Sequence, residues 1–465
     1  MKLGTIIACD KALGQLEVMG ITDNSQKVKD GFVFVDIHNN PQYRADAVKN
    51  GALALVVENK AEFENEIVVK NTALAFSQMS EKWFDYPRNG MKLIGVTGTN
   101  GKTTITYLLK DILEKAGKRV GVIGTIQNVI CDEVVPAVNT TPNAFDLNHL
   151  FSVMRDKGCD YVIMEVSSHA LSIGRVEGLH FDTAVFTNLT QDHLDYHENM
   201  ENYYLAKKKL FSMCDNAVVN IDDKYGERLF SEICCNKVSI SLDNNADYIA
   251  KSINLQSKYA EYKVLTDKIE HIRVNIPGRF SIYNSLCAIA VADFLNIERQ
   301  DTVLALKEFG GVKGRAEVLE NTGDFTVIID YAHTPDGLKS ILKTFKDCPK
   351  DRLIVLFGCG GDRDKTKRPL MGEIASIYAD FVIVTSDNPR TEDPDSIISD
   401  IMKGVLPSKP CKVLQKRDEA IKFALSIARK NDIIVLAGKG HETYQIIGKE
   451  KIHFDEREVV YSALS

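Results

Sequence analysis

A glycine-rich segment that ends in lysine and threonine is the part of the sequence best suited to bind phosphate. It runs from Gly95 to Thr104 and reads GVTGTNGKTT, between an apolar β-branched run and a helix-like stretch. Backbone N–H groups and the helix N-terminus can then point at an anion. Lys102 would reach the β- and γ-phosphates of a nucleotide, and the Thr103 hydroxyl would ligate Mg²⁺. Because Val96 stands where the usual Walker spacing has a glycine, the segment predicts a variant phosphate loop.

Three more polar clusters follow apolar runs or lie on a helix-like stretch. Glu165 closes one apolar run, where a carboxylate beside a phosphate loop can hold Mg²⁺ on ATP oxygens. Residues 192–197 contain two Asp and two His, which suits metal or phosphate chemistry, with a solvated polar loop as the alternative. Lysines 207–209 form the third cluster, and from spacing alone such a cluster is more often a solvated helix face.

Strand-like and helix-like segments alternate along much of the chain, which indicates parallel sheets covered by helices. Ligands of such sheets bind at the carboxyl ends of the strands, so chemistry is expected in the loops that follow them. Tyr43–Gly51 is a predicted helix, and Thr103–Ala116 is the predicted helix after the phosphate loop. The predicted strands are Phe32–Val35, Leu53–Val57, Leu93–Thr97, Val120–Ile123, Tyr161–Val166, Thr183–Phe186, Thr326–Ile329, Leu353–Phe357, Phe381–Thr385 and Ile433–Ala437.

Two turn-rich segments, 86–90 and 310–314, separate the periodic parts of the chain. They divide it into residues 1–90, 91–313 and 314–465. At about 150 residues per domain, the length of 465 residues also suggests three domains. We therefore expect an α/β protein with three domains.

Composition and charge narrow the class of protein. A formal net charge of −7 argues against general nucleic-acid binding. No apolar run approaches the ~18 residues needed to span a bilayer, and the run before Asp10 is too short for a secretory segment. The ten cysteines have no metal-binding spacing and are expected to be reduced. We expect a cytoplasmic monomer that neither binds nucleic acid nor inserts into a membrane.

Seven motifs, in order, resemble the Mur ligases and the related folylpolyglutamate synthetases. The matches extend from about residue 90 to residue 445. The motifs are Gly98–Thr104, Glu165–His169, Asn188–Asp195, Tyr203–Phe211, Gly278–Asn284, Gly314–Arg315 and Asp330–Pro335. The resemblance implies a small N-terminal α/β domain that binds a nucleotide sugar, a central P-loop ATPase domain and a C-terminal Rossmann-like domain, the last two with mainly parallel sheets. It also implies ATP-driven amide formation: a substrate carboxylate attacks the γ-phosphate, and an amine attacks the resulting acyl phosphate.

The same resemblance implies ATP and metal sites. Lys102, Lys207 and His193 are the implied catalytic residues. The implied Mg²⁺ ligands are Thr103, Glu165, His193 and Lys207, the last as a carbamate. The implied ATP contacts are Gly98, Thr99, Asn100, Gly101, Lys102, Thr103, Thr104, Asn284, Arg315, Asp330 and His333.

Within the family the sequence resembles the MurE type, which adds a diamino acid to UDP-N-acetylmuramoyl-L-alanyl-D-glutamate in peptidoglycan precursor synthesis. The residues implied for this acceptor are Ser25, Asn139, Thr140, Thr141, Ser167 and Arg175. Arg175 can fork onto its carboxylate, whereas residues 139–141 alone would be taken as a turn and a helix cap. The N-terminal part departs from the family. Asn24-Ser25-Gln26 replaces Asp-Ser-Arg and Asn39-Asn40 replaces Asp-Gly, so the UDP contacts are the least specified.

The amino acid is implied by Asp387-Asn388-Pro389-Arg390, which resembles enzymes that select meso-2,6-diaminopimelate. This substrate is lysine with a carboxylate at its far end, and Arg390 offers that carboxylate a bidentate donor. Losing one partner of such a pair costs roughly 2–5 kcal/mol, so lysine should be disfavoured about 30-fold or more. An Asn-Pro turn with a solvated arginine is the alternative. The residues implied for diaminopimelate are Arg363, Asp387, Asn388, Pro389, Arg390, Gly438 and Glu442.

Other functions remain open at this point. The chain could be an L-lysine-adding or divergent Mur ligase paralogue; a folylpolyglutamate-type ligase has no use for residues 387–390. A P-loop ATPase without ligase activity would share the phosphate loop but leaves the C-terminal motifs unexplained. A binding scaffold without catalysis would not need Lys102, Thr103, Glu165 and His193.

Overall fold

A computed structural model describes residues 1–60, 63–266 and 269–465 of the protein. These residues form two compact units. The first comprises Met1–Asp247 and Cys287–Asp301, and the second comprises Tyr248–Leu286 and Thr302–Ser465. The domain boundaries near residues 90 and 313 stay a prediction.

A four-stranded parallel sheet forms the N-terminal part of the first unit. Its elements in chain order are α1 (Leu3–Ile6), β1 (Gly20–Thr22), β2 (Phe32–Val35), α2 (Pro41–Lys49), β3 (Ala54–Val57), β4 (Glu66–Val68) and α3 (Thr72–Trp83). The strands lie in the order β1-β2-β3-β4. Phe76 and Met79 of α3 pack against Val33 and Val56 in one apolar cluster. Strands buried on both faces explain the continuous apolar runs of this region.

A larger sheet in the same unit carries the phosphate loop. Its strands are β5 (Lys92–Thr97), β6 (Val120–Ile123), β7 (Gln127–Ile130), β8 (Glu133–Pro136), β9 (Tyr161–Glu165), β10 (Phe181–Phe186), β11 (Cys214–Asn220) and β12 (Asn236–Ser241). Its helices are α4 (Lys102–Lys115), α5 (Ala144–Asp156), α6 (Ser168–Ser172), α7 (Leu194–His197), α8 (Met200–Lys208) and α9 (Lys224–Glu232). Within the unit the order is β12-β11-β10-β5-β9-β6-β7-β8.

The arrangement of this sheet brings several loops to one edge. The strands from β12 to β6 are parallel, and β6, β7 and β8 pair antiparallel. The carboxyl ends of β10, β5, β9 and β6 therefore lie side by side, which is where ligands of such sheets bind.

The second unit begins with an antiparallel three-stranded ribbon and continues into a mainly parallel sheet. The ribbon strands are β13 (Tyr248–Leu255), β14 (Ala260–Leu265) and β15 (Ile269–Val274). Helices α10 (Arg279–Phe294) and α11 (Arg299–Glu308) follow in the chain. The sheet strands are β16 (Glu317–Val318), β17 (Thr326–Asp330), β18 (Leu353–Phe357), β19 (Phe381–Val384), β20 (Cys411–Val413) and β21 (Ile433–Ala437).

In this sheet the strand order is β16-β17-β21-β18-β19-β20, and only β16 runs antiparallel to its neighbour. The remaining elements are α12 (Pro335–Lys346), α13 (Lys367–Tyr378), α14 (Pro394–Met402), α15 (Arg417–Ser426), the hairpin strands β22 (Tyr444–Ile447) and β23 (Glu450–His453), and α16 (Glu456–Leu464). The segments after β17, β21, β18 and β19 therefore begin at one edge.

The α/β class with mostly parallel sheets is confirmed, and each predicted strand and helix differs from the observed one by at most two residues at either end. The sequence did not predict the antiparallel strands β7, β8, β13 to β16, β22 and β23. These strands are partly exposed, for example β8 and β23, so they lack the continuous apolar run by which buried parallel strands were identified. Among the described residues, no helix is long and apolar enough to cross a membrane.

A buried ion pair attaches the last helix, α16, to the rest of the second unit. Arg417 donates from Nε to Glu456 Oε1 at 2.9 Å, and its Nη2 donates to the Ala437 carbonyl at 2.8 Å. The side chains of Arg417 and Glu456 are 0% and 1% exposed. Ala437 ends β21, so this pair also fixes the strand end that leads into the segment beginning at Gly438.

Removing the charge of Glu456 should destabilise the second unit. Glu456→Gln leaves the buried Arg417 cation without its counter-charge, which costs about 3 kcal/mol or more. Urea denaturation followed by circular dichroism measures the effect. Glu458→Gln on the same helix is the matched control, since Glu458 pairs with His453 at 2.8 Å on the surface and such pairs contribute about 0–1 kcal/mol. Equal midpoints for the two variants would contradict the prediction.

Candidate active site

The phosphate loop is held in a conformation that requires glycine. Gly98 has φ of +143°, and a Cβ there would lie 1.8 Å from Thr187 Oγ1. The Thr187 hydroxyl donates to the Asn100 carbonyl at 2.6 Å. Gly101, with φ of +91°, precedes the first residue of α4, Lys102. The loop therefore wraps closely around the side chain of Thr187, the residue that follows the neighbouring strand β10.

Asn188, just after β10, fixes the same loop through three hydrogen bonds. Its Oδ1 accepts from Asn100 N at 3.0 Å, and its Nδ2 donates to the Asn100 carbonyl at 3.2 Å. Its carbonyl accepts from Thr99 N at 2.9 Å. The shape of the predicted ATP contacts 98–101 is thus set by a second loop and not by glycine content alone.

Lys102 and Lys207 converge on one carbonyl of the loop. Lys102 Nζ donates to the carbonyls of Gly98 and Thr99, both at 2.9 Å, and Lys207 Nζ donates to the Gly98 carbonyl at 2.9 Å. Lys207 is 1% exposed and lies over the Tyr203 ring at 4.7 Å. Burial, reinforced by the Lys102 charge, holds the pKa of the Lys207 amine well below its usual value. This lysine is therefore not the solvated helix face that spacing alone favours.

Glu165 lies at the end of β9, 1% exposed, among hydroxyl and amide donors. Its Oε1 accepts from Thr103 Oγ1 at 3.0 Å and from Thr125 N at 2.8 Å, and its Oε2 accepts from Thr125 Oγ1 at 3.0 Å. In the described ranges Glu165 has no cationic side chain as a partner. A buried carboxylate without a counter-charge, next to a threonine hydroxyl, is a donor set that fits Mg²⁺.

The structure does not bring His193 to the other predicted metal ligands. Its side chain is 63% exposed and pairs with Asp192 at 3.5 Å. No hydrogen bond or ion pair joins it to Glu165 or Lys207 within the part of the chain that the structure describes. Its ring lies 6.4 Å from that of Tyr203, which also contacts Lys207. The described residues contain no group of three His, Cys, Asp or Glu side chains suited to a metal, so the predicted site depends on threonine and modified lysine.

Tyr203 is a residue of this site that the sequence did not single out. Its hydroxyl lies 3.2 Å from Thr99 Oγ1, and its ring packs against Lys207 and, at 4.9 Å, against His197. Its exposed fraction is 1%, and burial raises its pKa to about 12. The only signal for it was its position in the motif that contains Lys207, four residues earlier on α8.

A cavity of about 810 Å³ in the first unit contains three of the residues predicted to hold the acceptor, namely Ser25, Asn139 and Arg175. Arg175 Nη1 donates to the Thr141 carbonyl at 2.9 Å. Thr141 Oγ1 in turn donates to the Glu165 carbonyl at 2.9 Å. The cavity is therefore connected through Thr141 to the strand end that carries the buried carboxylate.

The other predicted acceptor residues extend this connection. Ser167 N donates to Thr141 Oγ1 at 3.1 Å, and Thr140 Oγ1 lies 3.0 Å from Thr125 Oγ1. Thr141 is 1% exposed and bonded on both sides. Residues 140 and 141 are thus part of the site's framework, beyond the turn and helix cap that the local sequence suggests.

Asp23 is a cavity residue that the sequence did not identify. Its Oδ1 accepts from Asn143 Nδ2 at 3.1 Å, and burial together with the charge of Asp146 raises its pKa. His38 also lines the cavity. Asp23 stands two residues before Ser25, but a single aspartate after a short strand gave no signal by itself.

In the second unit, three predicted ATP contacts surround Tyr331. Both carboxylate oxygens of Asp330 accept backbone N–H groups, from Ala316 at 2.7 Å and Ala332 at 2.8 Å, and burial raises its pKa. The Arg315 guanidinium lies 5.0 Å from the Tyr331 ring, and the His333 ring lies 4.7 Å from it. Burial lowers the pKa of His333. The fourth contact, Asn284, is 5% exposed within α10.

The residues predicted for the amino acid meet around one buried lysine. Lys439, 0% exposed, pairs with Asp387 at 3.3 Å and Glu442 at 3.4 Å, and it donates to Asn388 Oδ1 at 3.1 Å. Asn388 Nδ2 donates to Glu442 Oε2 at 3.0 Å. Lys439 was not predicted, although it stands between the predicted residues Gly438 and Glu442. The cluster contains two carboxylates, of Asp387 and Glu442, and one ammonium group, of Lys439. Its net negative charge makes it suited to bind an ammonium group of a substrate.

The two predicted arginines lie beside this cluster. Arg390 follows Pro389 and donates from Nη1 to the Gly361 carbonyl at 2.8 Å. Arg363, on the loop after β18, has an exposed side chain that donates to the Asp362 carbonyl at 3.3 Å. Both loops begin at the carboxyl edge of the sheet, as does the segment beginning at Gly438.

Comparison with known proteins decides the family. Residues 96–292 match the Mur ligase middle domain, and residues 314–440 match the Mur ligase, glutamate ligase domain. The chain is 47% identical over 460 residues to the UDP-N-acetylmuramoyl-L-alanyl-D-glutamate--2,6-diaminopimelate ligase of Caldanaerobacter subterraneus subsp. tengcongensis, with 97% of this chain and 95% of that protein covered. This protein is a Mur ligase. It is therefore a ligase and not a P-loop ATPase of another class.

Other Mur ligases agree with this assignment. A relative of the same name from Clostridium acetobutylicum is 44% identical over 455 residues, covering 96% of this chain and 94% of its own. A solved structure described as a UDP-N-acetylmuramoyl-L-alanyl-D-glutamate--2,6-diaminopimelate ligase superposes with a TM-score of 0.75 at 33% identity, covering 100% of this chain and 98% of the other. The MurF ligase of Thermotoga maritima in complex with ADP, with a TM-score of 0.61 at 16% identity and coverage of 97% of each chain, shares the fold.

The close approach at Gly98 yields a test of the Mur ligase phosphate loop. Gly98→Ala should weaken binding of a non-hydrolysable ATP analogue by about tenfold or more, which is about 1.4 kcal/mol, because the new Cβ displaces Thr187 and strains the backbone. Fluorescence titration measures the affinity. Gly310→Ala is the control, since a Cβ at Gly310 has no neighbour within 4 Å. Unchanged affinity in Gly98→Ala would show that the loop tolerates the shift.

Proposed function

We propose that this Mur ligase joins meso-2,6-diaminopimelate to UDP-N-acetylmuramoyl-L-alanyl-D-glutamate, using ATP, in peptidoglycan precursor synthesis. The observation that carries the proposal is full-length identity of 40–47% to ligases named for this reaction. Arg390, beside the acidic cluster around Lys439, supports it from the structure. A cytoplasmic location and a monomeric state are part of the same proposal.

The first step is phosphorylation of the acceptor. A carboxylate oxygen of the D-glutamate residue attacks the γ-phosphorus of ATP, and the bond from this phosphorus to the β-phosphate oxygen breaks. ADP departs, and the acceptor now carries an acyl phosphate. Two anions must meet for this to occur, so fixed cations are needed where charge develops. Lys102 supplies one of them at the phosphate loop. Thr103 and Glu165 would hold Mg²⁺, with modified Lys207 as a further ligand, and the ion when bound neutralises phosphate charge. His193, which is exposed and paired with Asp192, would have to turn toward them to join this set.

Lys207 is suited to the modification that its proposed role requires. The uncharged amine attacks CO₂, forming a C–N bond and releasing a proton, so that a cation becomes a carbamate anion. Burial and the Lys102 charge lower the pKa of this amine, which raises the uncharged fraction at neutral pH. A carbamate also offers anionic oxygens that can bind a metal cation, whereas an ammonium group repels such a cation.

The second step is attack by the amino acid. An uncharged amine of diaminopimelate attacks the acyl carbon, phosphate leaves, and the amide nitrogen loses a proton. We propose that the end of diaminopimelate remote from the attacking amine is bound by five residues. Its ammonium group would lie against Asp387, Asn388 and Glu442, and its carboxylate against Arg363 and Arg390. The remaining proposed contacts are Pro389 and Gly438 for diaminopimelate, Ser25, Asn139, Thr140, Thr141, Ser167 and Arg175 for the acceptor, and Gly98, Thr99, Asn100, Gly101, Thr104, Asn284, Arg315, Asp330 and His333 for ATP.

Substrate selection tests the reaction directly. With the acceptor, ATP and Mg²⁺, phosphate release should occur with meso-diaminopimelate and be at least about 30-fold slower with L-lysine. Arg390→Lys should lower kcat/KM for diaminopimelate by a similar factor, because the bidentate donor is lost. Arg429→Lys, a change outside the proposed site, is the control. Turnover with lysine alone would replace the proposal by a lysine-adding ligase.

Carbamylation of Lys207 makes a separate prediction. Activity should fall in CO₂-depleted buffer and return with bicarbonate, and ¹³CO₂ should give a carbamate signal by NMR. Lys207→Arg keeps a long nitrogen-bearing side chain but cannot form the carbamate, so it should lose on the order of 100-fold in turnover together with the signal. Lys208→Arg, next in the chain and paired with Glu232 near the surface, should retain both. A wild-type enzyme that is active with no carbamate signal would rule the modification out.

A further inference from the structure

Two loops that carry the predicted arginines are joined to each other directly. Gly361 N donates to the Asn388 carbonyl at 2.9 Å, and the Gly361 carbonyl accepts from Arg390 Nη1 at 2.8 Å. A Cβ at Gly361 would lie 1.9 Å from the Pro389 carbonyl oxygen. Only glycine permits this contact, so the loop after β18 and the loop after β19 are in direct backbone contact.

Glu392, two residues after Arg390, connects the same two loops through its side chain. Its Oε1 accepts from Asp362 N at 2.6 Å. Arg368 Nη2 donates to both carboxylate oxygens, at 2.9 and 3.0 Å, and Lys365 Nζ lies 3.2 Å from Oε2. The bond from Arg368 lowers the pKa of Glu392 to about 2, so the carboxylate is ionised throughout the physiological range.

The partner of Glu392 is a rigid cation. Arg368 is 0% exposed on α13, and its Nη1 donates to Asp400 Oδ2 at 3.1 Å. An arginine that is buried and held by carboxylates on two sides, through Nη2 and Nη1, has little freedom to follow a moving carboxylate. Glu392 is therefore attached to the body of the second unit and not only to a neighbouring loop.

A return connection runs from the second loop to the first. Thr391 Oγ1 donates to Asp362 Oδ1 at 2.8 Å, and Thr391 N donates to Asp362 Oδ2 at 3.2 Å. We call the set Asp362, Lys365, Arg368, Thr391 and Glu392 the Glu392 clamp. It lies next to Arg363 in one loop and next to Arg390 in the other.

The backbone of Arg390 needs such support. Its φ is +52°, in the left-handed region, where any residue other than glycine has a strained backbone. On one side its N–H donates to the Ile446 carbonyl and its carbonyl accepts from Gly448 N, so the β22–β23 hairpin holds it. Strained residues persist where the surroundings fix them from several directions, and the clamp supplies the other direction.

We propose that Glu392 and Arg368 are positioning residues that set the orientation of Arg390 and Arg363 toward the far carboxylate of diaminopimelate, and so determine the choice between diaminopimelate and lysine. This inference rests on the proposed function, because it deepens the same site. The contacts of Glu392 and Arg368 are with each other and with Asp362, Lys365 and Asp400, so their effect on the substrate is exerted through the two loops. A displacement of the guanidinium groups of about 1 Å is enough to weaken a charge-assisted pair substantially.

Steady-state kinetics of the full chain test the proposal. Glu392→Gln keeps the size of the side chain and removes the charge that Arg368 binds. It should raise KM for diaminopimelate on the order of tenfold and leave kcat and the KM values for ATP and acceptor within about twofold. The ratio of kcat/KM for diaminopimelate to kcat/KM for lysine should therefore fall. Thr391 is exposed, so Thr391→Val removes one hydroxyl of the clamp without leaving a buried charge. It should also raise KM for diaminopimelate and lower the preference for diaminopimelate over lysine.

The control is Glu419→Gln, which removes a surface pair with Lys416 at 3.0 Å in the same unit and should change nothing. Equal KM and equal preference in wild type, Glu392→Gln and Thr391→Val would overturn the proposal. A fall in kcat and in thermal midpoint together with a rise in all KM values would also overturn it, since that is the result of a merely structural role. If the wild type itself does not use diaminopimelate, the proposed function fails first, and the inference falls with it.

Discussion

The parallel alignment of β10, β5, β9 and β6 is the constraint on which the site of the first unit depends. Because the four strands end at one edge, the phosphate loop, Asn188, Glu165 and Thr125 begin within hydrogen-bonding distance of one another. The conformation of each loop depends on its neighbours, since residues after β10 fix the conformation of the loop after β5. The same rule governs the second unit, where the segments after β18, β19 and β21 gather the groups that we propose to bind the amino acid.

Buried lysines in the two units show how the surroundings decide what one residue type can do. Lys207 faces a carbonyl oxygen and an aromatic ring, with a second lysine nearby, and its charged form is disfavoured. Lys439 is buried to the same extent but lies against Asp387 and Glu442. The first environment suits an uncharged nucleophile, whereas the second suits a cation that holds two carboxylates together.

The sequence identified the parts of the site whose chemistry is carried by local motifs. Lys102 and Thr103 come after β5 and Glu165 ends β9, and the contact between Thr103 and Glu165 follows from the parallel topology. Residues such as Lys439, Tyr203 and Asp23 were missed because their role arises from packing, and a single lysine, tyrosine or aspartate carries no pattern. The antiparallel strands were missed for a related reason: they are only half buried, so the apolar signal that marks β5 or β18 is absent from β8 and β23.

The left-handed backbone of Arg390 sets stability and selectivity against each other. Glycine would relieve a strain of about 1 kcal/mol there, yet it would remove the guanidinium group. Selection for a more stable fold therefore favours a different residue from selection for a substrate with a second carboxylate. A chain that did not need to discriminate between diamino acids would be more stable with glycine at position 390, so the strained backbone of this arginine is a cost of substrate selection.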